Sequence, residues 1–159
     1  MWETIQNNMN KPWDWYELSS NPSLCWEFVR NNPNLDWDWE ELSSNSSLTW
    51  KFVQENLDNP WNWEILSENS CITCDIIKNN PDKPWNWDYL SSNLSITWEF
   101  VQSDPDKSWN YRLLRDNPSI SWVDIFENQY IPWWDTLLDD SRNSNYSDDV
   151  NSKDLFDFN

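Results

Sequence analysis

The two cysteines of the Cys71-x-x-Cys74 segment are the side chains best placed to do chemistry. Their spacing is typical of redox-active dithiols and of half a zinc site. A structural zinc site takes four ligands, and the chain has only one other cysteine and no histidine. Cys71 also stands where neighbouring segments carry serine, and Cys74 stands where they carry tryptophan. The sequence therefore favours two isolated substitutions over a reactive site, and we predict no metal and no cofactor.

Carboxylates are the most abundant potential catalytic groups, with 28 Asp and Glu against 10 Lys and Arg. A pair of carboxylates can act as general acid and base, but here they are dispersed along the whole chain. Without histidine or a Gly-rich phosphate loop, the chain lacks the usual catalytic equipment, and we predict that it is not an enzyme. The net charge of −18 would repel nucleic-acid phosphates and anionic membranes, so we expect no direct nucleic-acid or membrane binding.

The 16 tryptophans could serve as stacking platforms for bases or sugars. Stacking of bases normally accompanies a positively charged groove, which an acidic surface does not provide. The tryptophans also recur at a fixed interval, which indicates packing between repeated units. We therefore expect most of the rings to be buried between neighbouring units, with some ring edges left accessible to an apolar peptide.

The sequence repeats every 24 residues, and a period in this range predicts a repeat architecture. Four columns of equivalent residues define the period. Trp-x-Trp pairs form the first, a second tryptophan column is interrupted by Cys74, and leucine and asparagine form the others. The columns are Trp13/Trp15, Trp37/Trp39, Trp61/Trp63 and Trp85/Trp87; Trp2, Trp26, Trp50, Trp98 and Trp122; Leu18, Leu42, Leu66, Leu90, Leu114 and Leu138; Asn21, Asn45, Asn69, Asn93 and Asn117.

The period divides the chain into a repeat array and a tail. The array begins and ends with half repeats, and the tail is predicted to be acidic and disordered because it abandons the pattern and is rich in polar residues. The predicted boundaries are half repeat 1–12, repeats 13–36, 37–60, 61–84, 85–108 and 109–132, half repeat 133–140, and tail 141–159.

Each repeat contains two segments with the sequence features of a helix start. In the first segment, Asp14 is an N-cap candidate, and Trp13 and Leu18 form a hydrophobic staple around it. The equivalent caps are Asp38, Asn62, Asn86 and Asn110 in the first segments and Cys25, Thr49, Thr73, Thr97 and Ser121 in the second. Cys25 is the weak member of this set, because a thiol is a poor hydrogen-bond acceptor.

The segment ends are equally regular, because asparagine (aspartate at Asp104) follows each one and proline comes directly after it at five of the ten ends. Asn is the usual substitute for Gly in the left-handed conformation that closes a helix, so we expect Asn21 and Asn32 to adopt it. The predicted fold is all-α, an α-solenoid of 24-residue repeats with two helices of about eight residues each. A β-solenoid is the alternative, because Trp-x-Trp also has the two-residue period of a strand.

These repeats resemble those of the tryptophan-repeat proteins of large DNA viruses, described in entomopoxviruses and giant amoeba viruses. PWNWDYLSSNLSITWEFVQSDPDK (84–107) and PWDWYELSSNPSLCWEFVRNNPN (12–34) carry the resemblance, which covers residues 1–140. It implies a viral source and an interaction role but no catalytic residue. Tyr111, Asp124 and Trp134 depart from the pattern near its C-terminal end.

From this reasoning we predict a non-enzymatic scaffold that binds a host or virion protein, located in the host cytoplasm or associated with the virion. Two groups of residues are the expected contacts, one on the first helices and one in the tail. An acidic decoy that occupies a basic nucleic-acid-binding protein is the alternative, and the apolar end faces would permit an end-to-end dimer. The predicted contact residues are Tyr16, Glu40, Glu64, Asp88 and Arg112 in the array and Leu155, Phe156 and Phe158 in the tail.

Overall fold

A computed structural model describes residues 2–121, which contain ten short helices and no strand. The predicted all-α fold is therefore confirmed for these residues, and the β-solenoid alternative is disfavoured. None of the described helices is long and apolar enough to cross a membrane. The helices are α1 Trp2–Gln6, α2 Trp15–Ser20, α3 Trp26–Asn31, α4 Trp39–Ser44, α5 Trp50–Glu55, α6 Trp63–Glu68, α7 Cys74–Asn79, α8 Trp87–Ser92, α9 Trp98–Ser103 and α10 Tyr111–Asp116.

The helix starts lie where the capping pattern predicts them. Each of α2 to α10 follows its predicted N-cap residue, and all of these caps except Cys25 accept a backbone N–H bond through the side chain. Thr49 Oγ1, for example, accepts from the backbone N–H of Phe52 at 3.3 Å. Because helices this short are unstable alone in water, these caps and the packing between repeats must stabilise them together.

Two expectations about the helix ends were wrong. The helices from α2 to α10 are six residues long, shorter than the predicted eight. In addition, no described residue has a positive φ, so asparagine does not close these helices in the left-handed conformation. Asn21 instead leaves α2 in extended backbone, with φ −66° and ψ 120°. The backbone becomes extended directly after the sixth helical residue. The asparagine side chain is therefore available for contacts with another repeat.

The first helices of successive repeats pack against one another. Each first helix packs against the first helix of the next repeat, in the order α2, α4, α6, α8 and α10. Three apolar columns of the described residues are buried and form the core. The buried columns are Leu18, Leu42, Leu66, Leu90 and Leu114; Leu24, Leu48, Ile72, Ile96 and Ile120; Ile5, Val29, Val53, Ile77 and Val101.

The first tryptophan of each Trp-x-Trp pair joins one repeat to the preceding one. Trp61 is 5% exposed, and its indole Nε1 donates to the carbonyl of Asn56 at 2.9 Å. Its ring meets that of Trp39, the second tryptophan of the preceding pair, edge to face at 5.1 Å. The same contact recurs between the other described pairs, with ring centroids 4.9 to 5.4 Å apart. The prediction that these tryptophans pack between repeats is confirmed.

Candidate interaction surface

A column of buried asparagines links successive first helices. The Asn93 amide Nδ2 donates to the carbonyls of Ser67 and Asn69 in the preceding repeat, at 2.8 and 3.2 Å. Its Oδ1 accepts the backbone N–H of Ser95 at 2.8 Å. Asn45, Asn69 and Asn117 make the equivalent three bonds. Sequence analysis found this column but assigned it the wrong role, because the 24-residue spacing alone does not reveal a bond between repeats.

Buried serines form a second polar column beside the asparagines. Ser67 is fully buried, its Oγ donates to the carbonyl of Trp63 at 2.7 Å, and it accepts the backbone N–H of Asn86 at 3.0 Å. Asn86 is the N-cap of α8, so the serine of one repeat satisfies an amide at the helix start of the next. The equivalent serines Ser19, Ser43 and Ser91 accept the corresponding amides. Together the two columns fix the spacing and register of neighbouring repeats.

Because the buried positions are committed to packing, the exposed positions are free to vary. The five predicted contact residues in the array are the second residues of α2, α4, α6, α8 and α10, and all five are exposed. We call them the first-helix row. Unlike the buried columns, this row contains a phenol, three carboxylates and a guanidinium. Its members are Tyr16, Glu40, Glu64, Asp88 and Arg112.

Contacts along the surface connect the first-helix row to neighbouring repeats. The carboxylate of Glu41 in the next repeat raises the pKa of Tyr16, because it hydrogen-bonds the phenol and its charge disfavours a phenolate. Asp88 Oδ1 accepts a bond from Asn110 Nδ2 at 2.8 Å, and Asn110 belongs to the next repeat as well. Row residues therefore sit on a surface that runs continuously across repeat boundaries.

Charge is distributed unequally between the first and second helices of the repeats. The first helices α2, α4, α6 and α8 contain six acids and no Lys or Arg, and two of their N-caps are also acidic. The second helices α3, α5 and α7 each contain one base that offsets their acid, whereas α1 and α9 each contain one acid and no base. α10 differs from the other first helices because it carries two arginines. The acids of α2, α4, α6 and α8 and their N-caps are Asp14, Glu17, Asp38, Glu40, Glu41, Glu64, Glu68 and Asp88.

The two neighbouring cysteines occupy structural positions. Burial raises the pKa of the Cys71 thiol to about 12, so the free thiol is protonated at neutral pH. Cys74 Sγ donates to the carbonyl of Ser95 at 3.3 Å. At the equivalent positions, the indole of Trp2 donates to the carbonyl of Ser23, and the indole of Trp26 donates to the carbonyl of Ser47. Among residues 2–121, no group of three or more potential ligands is placed to hold a metal ion.

Replacing Cys74 with tryptophan is expected to stabilise the protein by about 1 to 2 kcal/mol. The indole would donate to the Ser95 carbonyl and contact Phe100, as Trp26 contacts Phe52 at 4.8 Å. Urea unfolding followed by circular dichroism would measure the change. Cys71→Ser is the control and should have little effect, because the equivalent positions in the neighbouring repeats are Ser47 and Ser95. A C74W variant less stable than the native chain would contradict the proposed equivalence of position 74.

The tail residues Leu155, Phe156 and Phe158 lie outside the described residues, as do half repeat 133–140 and the end of repeat 109–132. The position of the first-helix row could be predicted because it depends only on register. The charge difference between the first and second helices was missed, although it can be read from the sequence once the helix bounds are known.

Comparison of the chain with protein-family models, curated proteins and solved structures found no match.

Proposed function

We propose that the repeats form an α-solenoid and that the protein is a non-enzymatic scaffold that binds another protein through the first-helix row. One observation carries the proposal. Five equivalent exposed positions carry a phenol, three carboxylates and a guanidinium, while the buried positions around them keep the same residue types. Packing does not require this variation, and a solenoid presents such positions as an extended face suited to recognition.

The geometry of the first-helix row favours a partner that contacts several repeats at once. Neighbouring packed helices lie about 8 to 10 Å apart, so five row positions span roughly 40 Å. A face of this length matches the dimensions of standard protein–protein interfaces. The resemblance to viral tryptophan-repeat proteins supports the further proposal that the partner is a host or virion protein met in the host cytoplasm or in the virion.

Charge reversal within the first-helix row tests the proposal. We expect Glu40→Arg with Glu64→Arg to remove partners that the native chain captures from host-cell extract, as measured by quantitative mass spectrometry. Arg112 shows that arginine is accepted at this position, so the fold should persist. The matched control places the same charge change on the second helices through Glu27→Lys and Asp75→Lys, where Lys51 is the native equivalent.

The outcomes of this experiment separate the two predicted contact groups. Loss of partners in the row variant alone supports the row, whereas unchanged capture, or equal loss in the second-helix control, would refute it. A chain lacking residues 141–159 tests the contribution of Leu155, Phe156 and Phe158. Loss of the same partners in that chain, with the row variant unaffected, would assign binding to the tail.

A second candidate function, an acidic decoy for a basic nucleic-acid-binding protein, is favoured by the acidic first helices. Eight acids without a compensating base across α2, α4, α6 and α8 and their caps resemble a line of phosphates in charge. The decoy requires that binding weaken steeply with salt and that DNA or RNA displace it. Binding that persists at high salt, or that DNA and RNA leave unchanged, would favour a scaffold partner over a decoy target.

A further inference from the structure

A cavity of about 170 Å³ lies between α7, α8 and the chain that follows α9. Its walls include the rings of Trp85 and Trp87, the lysines Lys78 and Lys107, and Asp104. These two lysines and one carboxylate give the cavity a local positive charge in a chain of net charge −18. The cavity is therefore chemically unlike the acidic first helices.

The two lysines are held near the cavity by aromatic rings. Lys107 Nζ stands 5.4 Å from the centroid of Trp87, and Lys78 Nζ stands 5.3 Å from that of Phe100. Within the described part of the chain, neither lysine has a carboxylate oxygen within 4.0 Å, although Asp104 lines the same cavity. Cation–π contacts keep both ammonium groups in place without neutralising them, so they can still attract an anion.

The aromatic walls are fixed by contacts with other repeats. The Trp85 ring lies 5.4 Å from that of Trp63 and 5.8 Å from that of Trp50, and its indole Nε1 donates to the carbonyl of Asn80 at 2.8 Å. The Trp87 ring meets Trp109 at 4.9 Å. A ligand would enter a site whose rings are already ordered, which reduces the entropy cost of binding.

We propose that this cavity binds the anionic end of an aromatic carboxylate. A volume of about 150 Å³ accommodates a benzene ring, so the cavity holds one ring and its carboxylate, and any further part of a ligand stays outside it. The side chains of Trp85 and Trp87 contact the ring of the ligand, and Lys78 and Lys107 contact its carboxylate. A free aromatic acid and the C-terminal Phe of a peptide share this chemistry. The proposal is independent of the first-helix row.

The repeats supply substitutions that the fold already accepts at equivalent positions. Gln54 and Gln102 stand where Lys78 does, and Asn59 stands where Lys107 does. Asn80 stands where Asp104 does, and its Nδ2 donates to the carbonyl of Ile76 at 2.7 Å. Lys78→Gln, Lys107→Asn and Asp104→Asn should therefore fold, and Lys51→Gln removes the same positive charge from another repeat as a control.

Titration of the full chain with phenylacetate, monitored by the indole N–H signals in NMR spectra, tests the proposal. Trp87→Tyr, which introduces the residue of Tyr111, identifies the Trp87 signal. We expect millimolar binding that K78Q and K107N each weaken about fourfold, because each removes one attractive charge from the site. D104N should strengthen binding by a similar factor, since it removes the one negative charge there, and K51Q should not change it.

Neutral phenylacetamide is the matched ligand and should bind at least several-fold more weakly. N-acetylphenylalanine represents a peptide C-terminus. Whether it binds more tightly or more weakly than phenylacetate shows whether the site prefers a peptide C-terminus or a free aromatic acid. Equal affinity for phenylacetate and phenylacetamide would overturn the proposal. The absence of any shift at millimolar phenylacetate, or equal effects of K51Q and K107N, would also overturn it.

Discussion

Replacement of Asn93 by alanine is expected to lower the free energy of unfolding by about 4 kcal/mol. The substitution removes four hydrogen bonds and takes the side-chain amide donor from the carbonyls of Ser67 and Asn69 in a buried environment. Asn93 is 1% exposed, so water cannot readily replace the lost donor. Because the two carbonyls belong to the preceding repeat, the variant should weaken the contact between repeats. Urea unfolding monitored by tryptophan fluorescence would measure the loss.

Asn80→Ala is the matched control, since Asn80 is also an asparagine that follows a helix. Its Nδ2 bonds only within its own helix, to the carbonyl of Ile76. We therefore expect a loss of about 1 kcal/mol for this variant. Equal losses for N93A and N80A would show that the asparagine column contributes no more than an ordinary helix end, and would contradict its role between repeats.

Trp61→Ala is expected to destabilise the protein by about 4 kcal/mol, within the range for large aromatic deletions in cores. Trp61 is 5% exposed, contacts the rings of Trp39 and Phe52, and donates to the carbonyl of Asn56. Its removal leaves a cavity at the junction of two repeats and takes one of two donors from the Asn56 carbonyl, which keeps the backbone N–H of Asn59. Chemical unfolding monitored by circular dichroism would measure the change without relying on the fluorescence of the deleted ring.

Trp63→Tyr provides the control in the same Trp-x-Trp pair. Trp63 is only half-buried, and Tyr111 occupies the equivalent position in a later repeat. A tyrosine ring can keep the contact with Trp85, so the loss should stay below about 1 kcal/mol. A W61A variant as stable as W63Y would indicate that the first tryptophan of each pair is not the element that joins the repeats.

The helix starts could be predicted from sequence because capping is a local interaction. Thr49 and Phe52 are three residues apart, so the residue types alone indicate the bond between them. The exposure of Glu40 could also be predicted, because the 24-residue register carries a position unchanged from one repeat to the next. Local rules and periodicity therefore account for the element order and for the place of the first-helix row.

The hydrogen bonds between repeats could not be predicted in the same way. Asn93 contacts Ser67 and Asn69 across 26 and 24 residues, and several local roles are open to an asparagine after a helix. Closing the helix in the left-handed conformation is one of those roles. That prediction was wrong, because the asparagine stays in extended backbone and its side chain hydrogen-bonds to the neighbouring repeat. The cavity between Lys78 and Lys107 was missed for the same reason, since it depends on how α7, α8 and the chain after α9 come together.

The repeat spacing along the first-helix row is the quantity that tests the proposed solenoid most directly. Spin labels can be placed in a chain whose cysteines are replaced by the residues of other repeats, through Cys25→Thr, Cys71→Ser and Cys74→Trp. One label stands at position 16 and the second at 64, 88 or 112. Pulsed electron paramagnetic resonance should give distances of about 20, 30 and 40 Å, rising by a constant step per repeat. Distances that do not increase with repeat number would contradict the stacked arrangement.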